Sequence, residues 1–576
     1  MKHSRLWWAA CLLAACSNGE DANRPEPAAE VRDEAELPFV VVTANPMATE
    51  AGAEVLRRGG SALDAAVAVQ SVLGLVEPQS SGLAGGAFLL FYDASNGEVT
   101  AFDGRERAPL STFPEVFYTE EGEPMGFYEA VTSGFSVGVP GAVAMLDTAH
   151  RKHGRLEWQE LFGEAERLAT EGFPVPQRMH DTMLRFRDFR AEPGAAGYVT
   201  EDGEPKPIGT MVTNPAYAET LQRIAEGGAA AFYTGPIAEA IIARVNEKTG
   251  AETLTLQDFA DYRVEEREAV CAIVFERKIC SMPPPSSGGV TMLQIAKLYE
   301  AKAGAMPVED SLLAYIEASR LAYADRGRYL GDPTAMGTES LSAEDLTATL
   351  VSDRYLEGRG QLLGSAPAED VQPGEPGGAL MREGFLQDSS YELPSTSHFS
   401  IMDTDGNIVS MTTTIEFPFG SQMMAAGMVL NNQLTDFSRV PSENGRVAVN
   451  APGPGKTPMS SMTPALLFEA DGTPLGAIGS PGGPAIIGYV AKPLIDFLAA
   501  GVPLSEAALR PHVVVPRGTV VVEEGHSELA DEVRALGYEV RESSLASGLY
   551  GFTISEDVID PVVDPRREGS VVVGEE

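Results

Sequence analysis

The sequence predicts an α+β fold in which antiparallel sheets stack face to face under a cover of helices. Three observations lead there. Hairpin patterns cluster at both ends of the chain, helical periodicity fills the middle, and no repeat of about 20 to 50 residues runs through it. A strictly alternating parallel fold would need strand and helix in turn along the whole length. With 576 residues, 44% of them hydrophobic and 22% charged, there is material for one large core or two ordinary ones. The excess of 83 acidic over 42 basic residues, a formal charge of −41, repels nucleic acid and anionic head groups, so nucleic-acid binding is excluded.

The first fifteen residues read as an export signal: Lys2 and Arg5 precede a short apolar run from Leu6 to Leu13, too short to span a bilayer. Leu13-Ala14-Ala15-Cys16 matches a bacterial lipobox, which predicts cleavage before Cys16, lipidation of its thiol and, with Ser17 following, outer-membrane sorting on the periplasmic face. The alternative is an ordinary secretory peptide with an incidental cysteine. Residues 16–38, rich in Glu, Asp, Pro and Ala, read as a solvated tether.

Asn45-Pro46 starts a helix that Gly59-Gly60 ends, and Ser61 with Asp64 caps a second apolar helix to about Leu75. A Gly-rich turn at 81–86 leads into strands at 87–93 and 98–103, with Arg105 just beyond. That turn lacks phosphate-loop spacing and reads as close backbone packing. Residues 139–245 are mainly helical. A hairpin at 270–280 carries Cys271 and Cys280; with a two-residue turn at Phe275-Glu276 they fall directly opposite, and an exported chain allows them to pair. Neither has neighbours at zinc-ligand spacing, so no metal site is expected. Helices follow from about Val290 and over 309–328, then a Gly/Pro/acid-rich segment, 363–394, suited to cleavage or mobility.

That segment ends at Ser395-Thr396-Ser397-His398, where a strong hairpin begins, turns through Thr404-Asp405-Gly406-Asn407 and returns over 408–415. Pairing Asp403 with Ile408 brings Thr414 and Ile415 back beside Ser397 and Thr396. Alternation gives Thr396, His398 and Ser400 one shared face, and Thr412, Thr414 and Glu416 one shared face on the returning strand. Read alone, Thr396 is an ordinary strand residue, or a hydroxyl with hydroxyl and carboxylate company. A strand end at 429–437, Ser460-Ser461, a hairpin over 465–478 and Gly479-Ser480-Pro481-Gly482-Gly483 before a helix at 484–498 complete the chain. Such a strand-Gly-helix junction exposes N–H groups suited to a developing oxyanion, or is simply a tight turn.

Together the segments 59–66, 105–109, 282–289, 323–326, 396–398, 460–462 and 479–483 resemble, in order, the γ-glutamyltransferase family, from about Val40 to the Asp564-Pro565-Arg566-Arg567 tail. The resemblance implies an N-terminal-nucleophile hydrolase with an αββα sandwich, made as a proenzyme that cuts itself between Ser395 and Thr396. The expected products are a large subunit, 39–395, and a small catalytic subunit, 396–576, intertwined in one domain. Thr396 would be both the self-cleaving residue and the nucleophile, its freed amine assisting its hydroxyl. Thr414 would sit beside it. Arg105 would grip a donor α-carboxylate with Ser460 and Ser461, Gln433 and Asp436 would take the α-ammonium, and Gly482 and Gly483 the oxyanion. The family reading implies γ-glutamyl donors such as glutathione, acyl transfer to water or to amino-acid and peptide amines, no metal or organic cofactor, and membrane contact only through the lipid anchor. Glu416 stands where well-known members have Asn, and the 438–457 loop is shorter than the lid of enterobacterial-type members. Both features suit the rival reading, an acylase acting on glutaryl-cephalosporin or poly-γ-glutamate amides. A non-catalytic surface lipoprotein is the rival of another class. His398 reads as a strand-ordering residue, not a base.

Overall fold

A computed structural model describes residues 37–303, 311–337, 341–364, 366–376, 385–390, 395–556 and 558–574. The export signal, Cys16 and nearly all of the tether lie outside the described residues, as does much of the 363–394 segment.

Thirteen strands build the two main sheets: β1 (Phe39–Thr43), β2 (Gly86–Asp93), β3 (Glu98–Gly104), β4 (Glu265–Glu268), β5 (Val270–Val274), β6 (Arg277–Ser281), β7 (Ser397–Met402), β8 (Ile408–Thr414), β9 (Ala465–Phe468), β10 (Pro474–Gly479), β11 (Tyr550–Ser555), β12 (Val558–Val563) and β13 (Ser570–Gly574). The first sheet runs β13-β1-β7-β8-β2-β3-β4 and the second β12-β11-β10-β9-β6-β5, with every pairing antiparallel. Strands from both sides of Ser395 interleave in each sheet, so a cut there leaves two chains sharing both sheets.

Helices α1 (Pro46–Arg57), α2 (Ala62–Val76) and α3 (Ala142–His153) cover the outer face of the first sheet. Helices α4 (Gly288–Ala303), α5 (Ser311–Tyr329) and α6 (Ile486–Ala500) form the opposite layer, where α4 and α6 rest on the second sheet and α5 packs on α4. Local chemistry explains the starts. The Asn45 side chain accepts from Met47 N ahead of Pro46, and Ser61 and Asp64 form a reciprocal capping box. The stretch Gly483–Ala500 is apolar enough to span a membrane, and burial of most of it inside the protein accounts for that composition.

The structure corrects four sequence expectations. Residues 39–43, unassigned before, enter as β1 and place a strand ahead of the two helices. The hairpin register is shifted by one: Met402 faces Ile408 and Ser397 faces Thr413. Asp403 is withdrawn from the ladder because its carboxylate accepts from Asp405 N, Asn407 N and Asn407 Nδ2, closing a five-residue turn. This shift is what puts Thr396, His398 and Ser400 on the same side as Thr412 and Thr414. The stretch 429–437 is mostly not strand: after the short Met428–Val429 strand it coils into a 3₁₀ turn, Gln433–Asp436. Finally, the 438–457 loop folds a small hairpin whose Arg446–Ala448 strand pairs with Phe385–Leu386.

Cys271 and Cys280 face each other across the β5–β6 hairpin and are bonded, with Phe275 and Glu276 at the turn in left-handed conformation. Replacing both by Ser is expected to lower unfolding free energy by about 2 to 3 kcal/mol, from the short loop it closes, and to leave turnover alone. Denaturant melts with and without reductant check this; coincident melts would contradict it.

Candidate active site

Strand pattern, not solvent exposure, decides what surrounds Thr396. Strands β7 and β8 are buried along their whole length, so their polar face meets the second sheet instead of water. Each polar group there needs a partner. Ser400 Oγ donates to Tyr550 O, and His398 is bracketed by Thr412 Oγ1 at 2.8 Å and Ser400 Oγ at 3.2 Å. Burial pulls the His398 imidazole down to about 3, so it stays neutral. The unfolded ring takes its proton near pH 6.5, so the stability from keeping it neutral is complete above that pH and is lost as pH falls toward 3. Urea melts from pH 7 to pH 4 should lose stability more steeply in wild type than in His398→Gln; parallel slopes would contradict this.

Thr396 lies at the head of β7 with φ +94°, a conformation that a β-branched residue rarely adopts. Its surroundings hold it there. Thr396 N donates to Ser80 O at 3.1 Å, Ser395 Oγ to Gln79 O at 2.6 Å, and Arg567 Nη1 to Thr396 O at 2.8 Å. Beneath it Ser397 Oγ donates to Glu77, a buried carboxyl whose pKa is raised by desolvation, while burial with Arg178 nearby brings Arg567 down to about 9. The Thr396 and Thr414 hydroxyls are 3.0 Å apart, and Thr414 Oγ1 also accepts from Glu416 N at 2.9 Å.

Arg105, Thr396, Thr414, Glu416, Gln433, Asp436, Ser460, Ser461 and Gly483 line one small cavity of about 20 Å³, with Met462 and Ile486. Gly482 stands next to it in the chain without lining it. Its φ of +137° and the Tyr489 ring, 2.5 Å from where a Cβ would sit, admit only glycine. Gly483 opens the short 3₁₀ turn that runs into α6, so the N–H groups here belong to a helix start, where no intrahelical acceptor exists.

Within this cavity the charges pair with one another. Arg105 Nη2 is 2.7 Å from Asp436 Oδ2, and the same guanidinium donates to the carbonyls of Pro458 and Met459. Gln433 Nε2 donates to Asp436 at 2.8 Å, and Asn432 Nδ2 to Glu416. The sequence assigns Arg105 and Asp436 to separate substrate charges; burial makes them partners, since an isolated buried charge is expensive. Next to them Glu106 is wholly buried, 3.7 Å from Arg105, and desolvation lifts its pKa to about 8.

Several contributors escaped the sequence reading. Arg567 counted only as the end of a resemblance, Gln79 and Ser80 act through backbone carbonyls, and Asn432 looked like strand. Only Arg567 carries a signal, being a basic residue in a matched tail.

A threonine at the head of a central strand, between two antiparallel sheets that helices enclose, defines an N-terminal-nucleophile hydrolase fold. The chain belongs to the gamma-glutamyltranspeptidase family, whose model matches residues 48–574. It is 34% identical over 491 residues to the glutathione hydrolase proenzyme of Bacillus subtilis (strain 168), covering 82% of this chain and 80% of that one. To the glutathione hydrolase proenzyme of Escherichia coli (strain K12) it is 33% identical over 485 residues, with the same coverage. Among solved structures, the gamma-glutamyltranspeptidase of Helicobacter pylori superposes with TM-score 0.52 at 30% identity, over 57% of this chain and 92% of that one. The cephalosporin acylase of Bacillus halodurans gives 0.78 at 24% identity, over 96% and 98%, a likeness of fold.

Proposed function

We propose that the chain is a self-processing glutathione hydrolase and γ-glutamyltransferase that opens γ-glutamyl amides through an ester on Thr396. The observation that carries this is the single cavity in which the Thr396 and Thr414 hydroxyls, 3.0 Å apart, meet Arg105, Asp436, Ser460, Ser461 and Gly483. In the precursor Thr396 N is an amide, and it donates to Ser80 O at 3.1 Å.

Processing begins when Thr396 Oγ1 adds to the Ser395 carbonyl carbon; the C–N bond breaks, the nitrogen gains a proton, and water hydrolyses the resulting ester. This leaves a Ser395 carboxylate and a Thr396 amine. The amine, neutral, then takes the proton of its own hydroxyl as Oγ1 attacks the donor's γ-carbonyl. Gly482 and Gly483 N–H groups stabilise the oxyanion, the protonated amine hands its proton to the leaving amine, and water or an acceptor amine releases the acyl group. Arg105 with Ser460 and Ser461 would hold the donor α-carboxylate; Gln433, Asp436 and Glu416 would face the α-ammonium.

The expected chains are 16–395, whose folded part is the large subunit 39–395, and 396–576. We further propose export, lipidation at Cys16 and attachment to the periplasmic side of a bacterial outer membrane, supported by the lipobox and the acidic tether. The second reading, a glutaryl-amide acylase, draws on the shorter 438–457 loop, which would leave the cleft more open to a larger donor; the Glu416 carboxyl in the ammonium corner suits instead a donor that brings an ammonium. Purified enzyme with a γ-glutamyl anilide should release the aniline, faster when glycylglycine is added, while a glutaryl anilide, which lacks the ammonium, reacts slowly. Preference for the glutaryl compound would overturn the γ-glutamyl reading in favour of the acylase.

A further inference from the structure

The Tyr323-Ala324-Asp325-Arg326 motif stands apart from the cavity lining, yet both ends of it reach the groups that form the cavity. Tyr323 and Arg326 are one turn apart on α5, hence on one face. Tyr323 Oη donates to Pro484 O at 2.6 Å, the carbonyl directly after Gly482 and Gly483. Arg326, 1% exposed, donates from Nη2 to Ser461 Oγ at 2.9 Å and from Nε to Ser287 Oγ at 2.8 Å. Ser287 in turn donates through Oγ and N to Ser460 O, at 2.6 and 2.8 Å. The guanidinium lies 5.8 Å from the Tyr323 ring centre, which ties the two arms together. Between them Asp325 faces away, accepting from Tyr355 Oη and Gly374 N and pairing with Arg359 at 3.1 Å, so α5 is fixed from behind.

We propose that Tyr323 and Arg326 are a pair of positioning residues that hold the oxyanion turn and the Ser460-Ser461 corner at a set separation. Tyr323 fixes the turn through Pro484, and Arg326 orients the Ser461 hydroxyl while placing a buried positive charge behind it. The proposal rests on the reading of Gly482 and Gly483 as oxyanion donors and of Ser460 and Ser461 as carboxylate ligands. Its consequence is a division of labour. The tyrosine arm acts on the chemical step, because a displaced oxyanion donor weakens only transition-state binding. The arginine arm acts on binding of donors that carry an α-carboxylate.

The test uses steady-state kinetics of processed enzyme, normalised to the small-chain band on a denaturing gel. Two donors are compared: a γ-glutamyl anilide and a 4-aminobutyryl anilide, which keeps the ammonium and lacks the α-carboxylate. Tyr323→Phe should lower kcat about tenfold for both donors with KM nearly unchanged. Arg326→Lys should raise KM about tenfold for the γ-glutamyl donor and leave it within about twofold for the other. Ser287→Ala reads the arginine arm from its far side: it should raise the same KM, and it decides the question where Arg326→Lys does not accumulate. Wild-type constants in Tyr323→Phe and in the arginine-arm variant, with wild type active on the γ-glutamyl donor, would overturn the brace alone. A wild type inert toward that donor would overturn the functional reading, and the brace with it.

Discussion

Thr396→Ala is expected to run as one uncut band and to lose amidase turnover by on the order of 10⁴-fold or more, because one hydroxyl serves both reactions. The structure adds a reason why the cut falls there. A β-branched residue at φ +94° stores roughly 1 to 3 kcal/mol, and the chain tolerates it because Ser80, Gln79 and Arg567 grip the backbone on both sides of the bond. Breaking the Ser395–Thr396 bond releases that constraint at the residue that performs the cleavage. Thr396→Ser, which keeps the hydroxyl and drops the methyl that opposes positive φ, should still produce two bands, more slowly. Two bands from Thr396→Ala, or undiminished turnover, would remove Thr396 from both roles.

Arg105→Ala should weaken a γ-glutamyl donor by about 2 to 5 kcal/mol, seen chiefly in kcat/KM. A 4-aminobutyryl anilide should lose much less. The 2.7 Å contact between Arg105 and Asp436 sharpens the expectation, since deleting the guanidinium also strands a buried carboxylate. Arg105→Ala and Asp436→Asn are therefore not independent: the double variant should be less impaired than the sum of the singles, by a coupling of about 0.5 to 3 kcal/mol. Additive losses would show that the pair does not act as a unit, and equal losses on both donors would show that Arg105 does not read the carboxylate.

Much of the fold was legible because local rules agree with it. Asn45-Pro46, the Ser61–Asp64 box and the Phe275-Glu276 turn each specify an element through their own backbone chemistry. What escaped is the work of distant partners. Phe39-Val40-Val41-Val42-Thr43 carries the aromatic and β-branched composition of a strand, but only its flanking by β7 and β13 shows that it is a central one. The hairpin register hinged on one side chain, Asp403, leaving the ladder to close its own turn. The alternating polar residues of β7 and β8 suggest a wet face, whereas the second sheet covers them and satisfies their hydroxyls with its carbonyls. Among the cavity residues, Thr396, Arg105 and Asp436 stand out by type and motif. Ser80, Gln79 and Pro484 contribute through carbonyl oxygens, which every residue possesses, so no sequence pattern marks them.

The account turns on a covalent bond to one oxygen, and intact-mass measurement of enzyme quenched during turnover of a γ-glutamyl donor tests it most directly. The prediction is two chains, the smaller beginning at Thr396 and carrying one γ-glutamyl group that peptide mapping places on Thr396. An uncut chain, or an acyl group on any other residue, would contradict it.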